Sequence, residues 1–556
     1  MSHQNKKSKL PRRAFVKAAL ASSAVVGHDP IQVILRTLLN REASSFAQSG
    51  PSANSRRYIV FHHEGGPSRW NYDLLLNPGN DPRFGQGIQH GMATGFRKDD
   101  QNRHSIPVFE NHQHHGLWVP SFWSTRVAHR SGGARPVADL LRNMLHLRGM
   151  DVGNPSHSGA MHNLFMSQGG LQSVTALAAD YSQTPLSTIN IGLGNFIHAS
   201  LFGKMDVPVN PWNSNLISSL MRPFTKPSRS GAMSTMAANM GDLSVALQKD
   251  RTAEDRRQAS VIDSIHVAEQ MMAREFGDLN EEWLRLVSKY RTLMEQTMAM
   301  PHAGITDGPL GMPPAERTTA MKQYHVRGDL NFEDDPRVLL GLDVTRKANQ
   351  DSLAKSFALV EFLVTHDLCR NMWIGIDSLR DCYRKQSLDG GLSTFSHSND
   401  SHTNGLMFST FFFHMYYAAQ SACLLELVDV LKARNLFNDT LIEVRGEFNR
   451  NPRRDLAGAD HGWRGASTMF YSGLFTKAEV FGNIYINDDT GGHFGNWGQG
   501  APVTALGGVK LDPGHYGATV ASLLGVPNPT RKSSLVERQG DGTFRLKDQE
   551  AQLVER

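Results

Sequence analysis

The chain has little cysteine and no long apolar run, and each shortage excludes a class of protein. Among its 556 residues there are three cysteines, Cys369, Cys382 and Cys423, all in or beside apolar segments. An odd number of cysteines offers no disulfide framework of the kind that holds small secreted domains together. No apolar run reaches the roughly 18 residues that a membrane-spanning helix needs. The sequence therefore predicts a protein with a large core and no stable membrane span.

The excess of basic over acidic residues also disappears once residues 1–47 are set aside. The formal net charge is +5, but residues 1–47 contain eight of the 58 Lys and Arg residues and only two of the 53 acidic residues. The remaining chain carries a net charge of about −1. The basic isoelectric point therefore belongs to the first segment and gives no reason to expect a nucleic-acid partner.

The first segment has the pattern of an export signal. Three lysines precede Arg12-Arg13-Ala14-Phe15, and a weakly apolar stretch follows over residues 18–27. A paired arginine ahead of a moderately apolar region resembles a twin-arginine leader. We predict that residues 1–47 are a signal peptide, that the twin-arginine export machinery is a partner, and that the mature protein is periplasmic or extracellular. The alternative is a disordered basic tail.

Strands and helices alternate in the last third of the chain. Short β-branched and aromatic runs predict strands at residues 57–61, 186–191, 372–376, 439–444 and 467–471. Helical spacing predicts helices at residues 350–368, 406–436 and 516–524. This alternation is typical of a parallel sheet, so we predict an α/β domain over residues 56–535. Within it, residues 205–350 are predicted to be a mostly helical insertion, and residues 536–556 a polar C-terminal tail.

Three clusters of acids and histidines fall where predicted strands should end. They are Asn399-Asp400-Ser401-His402, Gly446-Glu447-Phe448-Asn449-Arg450 and Ala459-Asp460-His461-Gly462. In open α/β sheets such groups act from the carboxyl ends of strands, and carboxylates and imidazoles bind divalent metals. Asp400 and His402 can contact one cation, with His461 as a further ligand. The alternative is a polar turn in which Asp400 caps the following helix.

Glu447 ends a predicted strand, and a buried carboxylate needs a partner. The partner is either a metal, with Glu447 as ligand or catalytic base, or Arg450 or Arg453 in a structural ion pair. The sequence leaves these two open. Asp460 is a candidate for orienting the neighbouring His461, since metal-binding imidazoles are commonly held by a carboxylate.

The nucleophile is sought at a helix start, where free N–H groups favour anions. Ser158, in the segment "NPSHSGAMHN", occupies such a place, and the alternative is that the serines of this segment only cap the helix. His157 and His162 are candidates for holding a water or the substrate. A separate tract, His112-Gln113-His114-His115, is either a metal-binding sequence or an exposed loop.

The last third also resembles a known family. The segments "NDSH", "GEFNRNPRRDLAGADHGWRG", "STMFYSG" and "HYGATVASLLGVP", in this order, resemble the exported bacterial domain-of-unknown-function family numbered fifteen-oh-one. The resemblance covers roughly residues 56–170 and 355–527. That family is similar to the alkaline-phosphatase-like superfamily, which includes sulfatases.

The resemblance implies a largely parallel sheet flanked by helices and a site for one or two divalent cations. Zinc or manganese is favoured, with calcium a further candidate. The ligands that it implies are Asp400, His402, His461, Glu447 and, after the first strand, Glu64. Phe448 departs from the family pattern, because a histidine is expected after the carboxylate at 447. No Cys-x-Pro-x-Arg sulfatase signature is present.

The function implied by the resemblance is that of an exported metal-dependent hydrolase of phosphate or sulfate esters. Its substrate would be an anionic small molecule or polymer, and we predict that Arg450 contacts this ester. The alternative is a non-catalytic pseudo-enzyme that binds a partner or a polymer in the cell envelope.

Overall fold

The structure is a computed structural model, and it describes most of the chain outside three long stretches. The described residues are 55–70, 72–79, 81, 95–98, 105–108, 111–167, 170–182, 184, 186–204, 206–209, 281–297, 300, 350–376, 378–386, 392–398, 400, 402, 406–452, 459–486 and 498–555. The predicted signal peptide lies outside these residues, as does most of the predicted insertion. None of the described helices is long and apolar enough to cross a membrane.

Strands outnumber helices in the described chain. The strands are β1 (Arg57–His63), β2 (Gly95–Lys98), β3 (Ser105–Val108), β4 (Asn111–His114), β5 (Leu117–Pro120), β6 (Arg126–Ala128), β7 (Ala134–Pro136), β8 (Met144–Met150), β9 (Thr188–Ile191), β10 (Asp206–Val209), β11 (Asn371–Ile376), β12 (Ser378–Gln386), β13 (Leu392–Ser398), β14 (Thr440–Gly446), β15 (Asn449–Pro452), β16 (Ala459–Gly462), β17 (Ala466–Tyr471), β18 (Glu479–Phe481), β19 (Asn483–Tyr485), β20 (Gly500–Ala501), β21 (Val536–Arg538), β22 (Phe544–Leu546) and β23 (Leu553–Val554). The α-helices are α1 (His157–Phe165), α2 (Val174–Asp180), α3 (residues 281–297), α4 (Gln350–Thr365), α5 (Leu406–Ala433) and α6 (Pro513–Leu524). Short 3₁₀ helices lie at Ser121–Ser124, Val137–Asn143, Phe437–Asp439 and Thr504–Leu506.

An eight-stranded sheet forms the centre of the fold, in the order β10-β9-β11-β1-β14-β17-β8-β18. The first five strands of this order are parallel to one another. β17 is antiparallel to both of its neighbours, and β18 is again parallel to β8. Seven of the eight strands therefore run in one direction. The predicted α/β class with a largely parallel sheet is confirmed, and the antiparallel strand was not predicted.

The two faces of β1 show how the sheet is covered. All seven of its residues are buried, which is typical of a parallel strand with helices on both faces. Tyr58 and Val60 belong to the core cluster that includes buried side chains of α1, α2 and α6. On the other face Phe61 stacks on Phe357 of α4, with ring centroids 4.5 Å apart, and His63 contacts Tyr416 of α5. Alternate residues of one strand thus face different helices.

The carboxyl ends of the parallel strands β11, β1 and β14 meet at one edge. His63, the last residue of β1, is level with Ile376 of β11 and Gly446 of β14. Gly65 and Gly66 have positive φ angles of 95° and 60°, and they turn the chain at this edge. The residue that follows β14 is Glu447, so the sheet places this carboxylate beside the turn after β1.

The boundary predicted at residue 535 is not a structural boundary. β21 and β22 form an antiparallel pair, and β23 adds to β19 in parallel. Val536, Phe544 and Leu546 are buried in the same core cluster as the central sheet. The predicted polar tail is therefore part of the fold, because its alternate residues are apolar and reach the core.

The start predicted for the insertion, residue 205, is also corrected. β10 pairs with β9 and forms the edge of the central sheet. A polar, poorly patterned sequence gave little indication of this strand, since an edge strand needs only one buried side. Within the rest of the predicted insertion, the described residues include the helix α3.

Candidate metal centre

Asp400 and His402, which are two residues apart in the chain, meet His461 from a later segment at the carboxyl edge of the sheet. The Nε2 atom of His402 lies 3.2 Å from Asp400 Oδ1 and 2.8 Å from His461 Nε2. His461 Nε2 is 4.0 Å from Asp400 Oδ1. The three residues that the sequence suggested as ligands of one cation are therefore in contact.

His157, the first residue of α1, adds a third imidazole to this group. Its Nε2 atom is 3.5 Å from Asp400 Oδ2. One ligand atom from each of His157, Asp400 and His461 can be chosen so that all three lie within 4.8 Å of one another. The Nε2 atom of His157 is buried and makes no hydrogen bond to any described residue. We predicted that this residue binds water or substrate, and the structure places it among the metal-ligand candidates.

Each of the three imidazoles presents Nε2 to the shared space and Nδ1 to an oxygen. The Nδ1 contacts are His157 to Glu447 Oε1 at 2.6 Å, His461 to the Pro155 carbonyl at 2.5 Å, and His402 to Asp460 Oδ1 at 3.5 Å. In metal sites the ligating histidine almost always donates its other N–H to a carboxylate or a carbonyl, which fixes the ring and its tautomer. The arrangement of these rings has that form.

Local structure holds His157 and His461 in place. Ser156 is the N-cap of α1, and its hydroxyl accepts a hydrogen bond from Gly159 N at 3.1 Å. His157 therefore leaves the first turn of the helix in a fixed direction. β15 and β16 pair antiparallel, which sets His461 directly beside Arg450.

Arg450 is a buried support for Asp400. Its Nε atom donates to the Gly66 carbonyl at 2.6 Å, and one of its terminal nitrogens contacts both the Gly65 carbonyl and Asp400 Oδ1. The side chain has no exposed surface. In this structure it holds the carboxylate, and it leaves no surface for the ester contact that we predicted for Arg450.

Glu447 is surrounded by donors rather than placed in the ligand group. Oε1 accepts hydrogen bonds from Gly65 N at 2.7 Å and from His157 Nδ1 at 2.6 Å. Its Oε2 lies 3.6 Å from Nε2 of His62, whose Nδ1 accepts a hydrogen bond from Arg445 Nε at 3.1 Å. His62 therefore carries its proton on Nε2, directed at the carboxylate. Glu447 thus contacts His157 and Gly65 among the described residues, Arg453 lies outside them, and the predicted metal contact of Glu447 stays a prediction.

These contacts shift the ionisation of the two carboxylates. Burial alone would raise the pKa of Asp400, but His157 and Arg450 hold it well below its usual range. Burial likewise opposes the ionisation of Glu447, yet its contacts with His157 and His62 lower the pKa of Glu447 to about 2. Both carboxylates are ionised near neutral pH.

The histidines differ in the direction of their pKa shifts. Burial lowers the pKa of His157, but Asp400 and Glu447 outweigh it and raise the value to about 9. Burial and the charge of Arg450 lower the pKa of His461 to about 4, and the same two causes lower the pKa of His402. His461 is therefore neutral near pH 7, and since its Nδ1 donates to Pro155, its Nε2 bears a lone pair.

Three donors of this group, from His157, Asp400 and His461, lie close enough together to hold a single divalent cation. Ligands bound to zinc at about 2.0–2.2 Å in a tetrahedral arrangement are separated by about 3.2–3.6 Å. Asp400 Oδ1 lies 3.2 Å from His402 and 4.0 Å from His461, and Oδ2 lies 3.5 Å from His157, so two of these separations are in that range and one exceeds it. A cation would also resolve the close approach of the His402 and His461 nitrogens at 2.8 Å, which otherwise needs a shared proton.

No family model, curated protein or solved structure matches the chain. The interpretation of the site therefore rests on its own geometry. Its ligand candidates are His157, Asp400, His402 and His461.

Glu64 lies at the same edge but outside this group. Its Oε1 accepts a hydrogen bond from Gly194 N at 2.9 Å, which ties the turn after β1 to the turn after β9. Glu64 is not among the three residues whose ligand atoms converge. Its predicted role as a ligand stays a prediction.

The predicted nucleophile and the second histidine of α1 are both at the surface. Ser158 is exposed at the second residue of the helix, and His162 is exposed in its second half. Ser156 is engaged as the cap and donates its hydroxyl to Asn154 Oδ1 at 2.8 Å. The roles predicted for Ser158 and His162 remain predictions.

Phe448 forms a wall of the site. Its ring centroid is 4.9 Å from that of His157 and 4.7 Å from that of His461. The side chain is fully buried. At the position where the family resemblance leads one to expect a histidine, the chain thus has an apolar surface that packs against two ligand candidates, both of which stay partly exposed.

Proposed function

We propose that this protein is a metal-dependent hydrolase of phosphate or sulfate esters, with one divalent cation held by His157, Asp400, His402 and His461. The observation that carries the proposal is the convergence of three Nε2 atoms on one carboxylate, with each Nδ1 facing an oxygen. The position of the group at the carboxyl edge of a mostly parallel sheet supports it, since α/β enzymes bind their ligands there. The resemblance to the alkaline-phosphatase-like superfamily is part of the same proposal.

Zinc is the favoured cation. Imidazole nitrogens suit zinc, whereas calcium takes oxygen ligands and the proposed set has three nitrogens. Manganese is the second candidate. When bound, such a cation acts as a Lewis acid on an ester oxygen and makes a coordinated water more acidic.

The remaining residues would position this set. Glu447 holds the ring of His157, Asp460 faces His402 Nδ1, and Arg450 fixes Asp400. Phe448 excludes water from one side of the rings. Ser158 is the candidate nucleophile of this proposal, because it is exposed and lies beside His157 in the first turn of α1, where free N–H groups favour an anion.

The second candidate is a pseudo-enzyme that binds a partner or polymer in the cell envelope. The observation in its favour is that the positive side chain nearest the ligands, Arg450, is buried and occupied by Asp400. The Arg450 side chain would then not reach the charge of an ester at the surface of the site.

Metal content and ester hydrolysis distinguish these candidates. We expect the full chain, purified without chelator, to contain a divalent metal and to hydrolyse chromogenic phosphate or sulfate esters. His402→Ala should abolish hydrolysis, whereas His366→Ala, which changes an exposed histidine that precedes β11, should not. Bound metal at this site without hydrolysis would favour the pseudo-enzyme. If the parent protein contains no more metal than His402→Ala does, the centre does not hold the proposed metal, either for hydrolysis or for binding a partner.

We propose export by the twin-arginine machinery to the periplasm or beyond as the setting of this activity. It is supported by the Arg12-Arg13 pair ahead of a weakly apolar stretch. Residues 1–47 fused to a reporter protein should direct it across the inner membrane. Replacing both arginines by lysine should stop this transport, and transport that continues unchanged would contradict the twin-arginine route.

A further inference from the structure

The β4–β5 hairpin carries two histidines that meet at one hydroxyl. His112 Nδ1 lies 2.5 Å from Ser124 Oγ, and His114 Nε2 lies 2.8 Å from the same oxygen. A serine hydroxyl has one proton to donate. It can therefore satisfy one of these nitrogens as donor and must accept a hydrogen bond from the other. Two imidazole nitrogens therefore meet at one hydroxyl oxygen.

The strand geometry allows these two histidines to bind one cation together. Residues two apart on a strand lie on the same face, so His112 and His114 point together towards Ser124. Gln113, between them, is exposed. His115 and Gly116 have φ angles of 51° and 79° and close the hairpin in two residues. Two successive positive φ angles are the form of hairpin turn that matches the twist of the strands.

The supporting structure is rigid on both sides. Trp118 of β5 exchanges backbone hydrogen bonds with Asn77, at 2.8 and 2.9 Å. Ser124 is the last residue of the 3₁₀ helix that begins directly after β5, and this helix buries Phe122 and Trp123. The two imidazoles and the hydroxyl are therefore held close together before a cation arrives, and they need to separate by only about 1 Å to reach the spacing of zinc ligands.

We propose that His112, His114 and Ser124 form a second metal site, which takes a late first-row divalent cation such as zinc or copper. Imidazole nitrogens suit these metals, whereas magnesium and calcium prefer oxygen alone. Water would complete the coordination, and the bound cation would fasten the hairpin to the 3₁₀ helix. The site uses none of the residues of the candidate metal centre.

Zinc counting by equilibrium dialysis tests the proposal. The full chain is stripped with chelator, dialysed against Zn²⁺ and analysed for zinc per chain. The His112→Ala, His114→Ala double variant is expected to bind one zinc fewer than the parent. This difference is expected whether or not the candidate metal centre binds zinc, because that centre is left intact. Equal zinc content in the two proteins would overturn the proposal.

Gln113→Ala is the matched control. It shortens a side chain of the same strand without removing a proposed ligand, so it should keep the zinc content of the parent. A loss of one zinc in Gln113→Ala as well would show that the hairpin's fold, and not its imidazoles, accounts for the effect, and would count against the site.

A second measurement first removes the candidate metal centre and keeps the hairpin intact. In the His402→Ala, His461→Ala double variant, one equivalent of Cu²⁺ should give an electron paramagnetic resonance spectrum with hyperfine splitting from imidazole nitrogen. Adding His114→Ala should change this spectrum and weaken copper binding by at least tenfold. The same spectrum and affinity with and without His114 would refute the hairpin site.

Discussion

Glu447 is a buried carboxylate that orients the ring of His157, a candidate metal ligand. Glu447 reaches the imidazole at 2.6 Å and holds the ring so that Nε2 faces Asp400. Its other hydrogen bond, to Gly65 N, ties the same carboxylate to the turn after β1. A change at Glu447 is therefore expected to act on metal binding through the orientation of His157.

Glu447→Gln tests this relationship. The amide keeps an oxygen that can accept the Gly65 hydrogen bond, but it loses the charge that favours the Nδ1–H form of His157. We expect zinc affinity to fall by about 10- to 100-fold, as is typical when the group behind a ligating histidine is changed. Competition with a chromophoric chelator measures the effect.

Glu64→Gln is the comparison for that variant, since Glu64 is a second carboxylate at the same edge, bound to Gly194. It should change zinc affinity by less than about threefold. A large loss in Glu64→Gln together with a small one in Glu447→Gln would reverse the roles that we give to the two carboxylates.

At the scale of elements, the Gly65-Gly66 turn joins the strand β1 to the site. Gly66 has a φ of 60°, and a Cβ atom built on it would lie 2.5 Å from the ring of Phe448. Its carbonyl also accepts the Arg450 hydrogen bond at 2.6 Å. The turn thus positions the wall of the site and the arginine that holds Asp400.

Gly66→Ala is expected to destabilise the protein by about 2–5 kcal/mol, because a left-handed backbone costs roughly 1–2 kcal/mol and overpacking a further 1–3 kcal/mol. Gly203→Ala is the matched control: its φ is 68°, but nothing lies within 4 Å of the added Cβ. It should show only the backbone cost. Urea unfolding of both variants measures the difference, and equal losses would mean that the Phe448 contact is not restrictive.

The helix α6 contains a carboxylate whose charge contributes to stability. Asp512, the N-cap, accepts hydrogen bonds from His515 N at 3.1 Å and His515 Nδ1 at 2.9 Å, and it pairs with Lys532 at 3.1 Å. Burial opposes ionisation, but these contacts lower the pKa of Asp512 to about 2. Because the pKa in the folded state is below that in the unfolded state, the stabilisation is present above about pH 4 and is lost as the pH falls towards 2.

Asp512→Asn keeps a capping oxygen and removes the charge. We expect it to lower the free energy of unfolding by about 1–2 kcal/mol at pH 7, and by progressively less as the pH falls from 4 to 2. Urea midpoints across this range are the measurement. The exposed Asp548, changed to Asn, should have little effect at any pH, and a pH-independent loss in Asp512→Asn would exclude the charge as its cause.

At the scale of the whole molecule, the core extends to the end of the chain. Phe544 of β22 is buried in the main core cluster, and its backbone N–H donates to the Leu474 carbonyl at 2.9 Å. The next residue, Arg545, is exposed. We therefore expect the stability of the central fold to depend on Phe544 and not on its neighbour Arg545.

Phe544→Ala is expected to destabilise the protein by about 3–5 kcal/mol, which is typical of removing a buried aromatic ring. Arg545→Ala should change stability by no more than about 0.5 kcal/mol. Thermal and urea unfolding would measure both. If Phe544→Ala were as mild as Arg545→Ala, residues 536–555 would be a dispensable appendage after all.

The strands β1, β11 and β14 could be predicted because each is a short buried run of β-branched and aromatic residues, and α5 because it is long and apolar. The direction of β17 could not, since a strand's own sequence does not encode which way its neighbours run. The convergence of Asp400, His402 and His461 was predicted from their places after strands. The position of His157 was not, because its contact with Glu447 joins residues 290 positions apart, and "SHS" before a helix gives no sign of such a partner.

The antiparallel direction of β17 has an evolutionary consequence. β14 ends and β17 begins at the same edge of the sheet. Glu447, Arg450, Asp460 and His461 therefore all belong to one connection between two neighbouring strands. Substitutions in this short stretch of coding sequence can alter four residues of the site while both strands keep their places in the sheet.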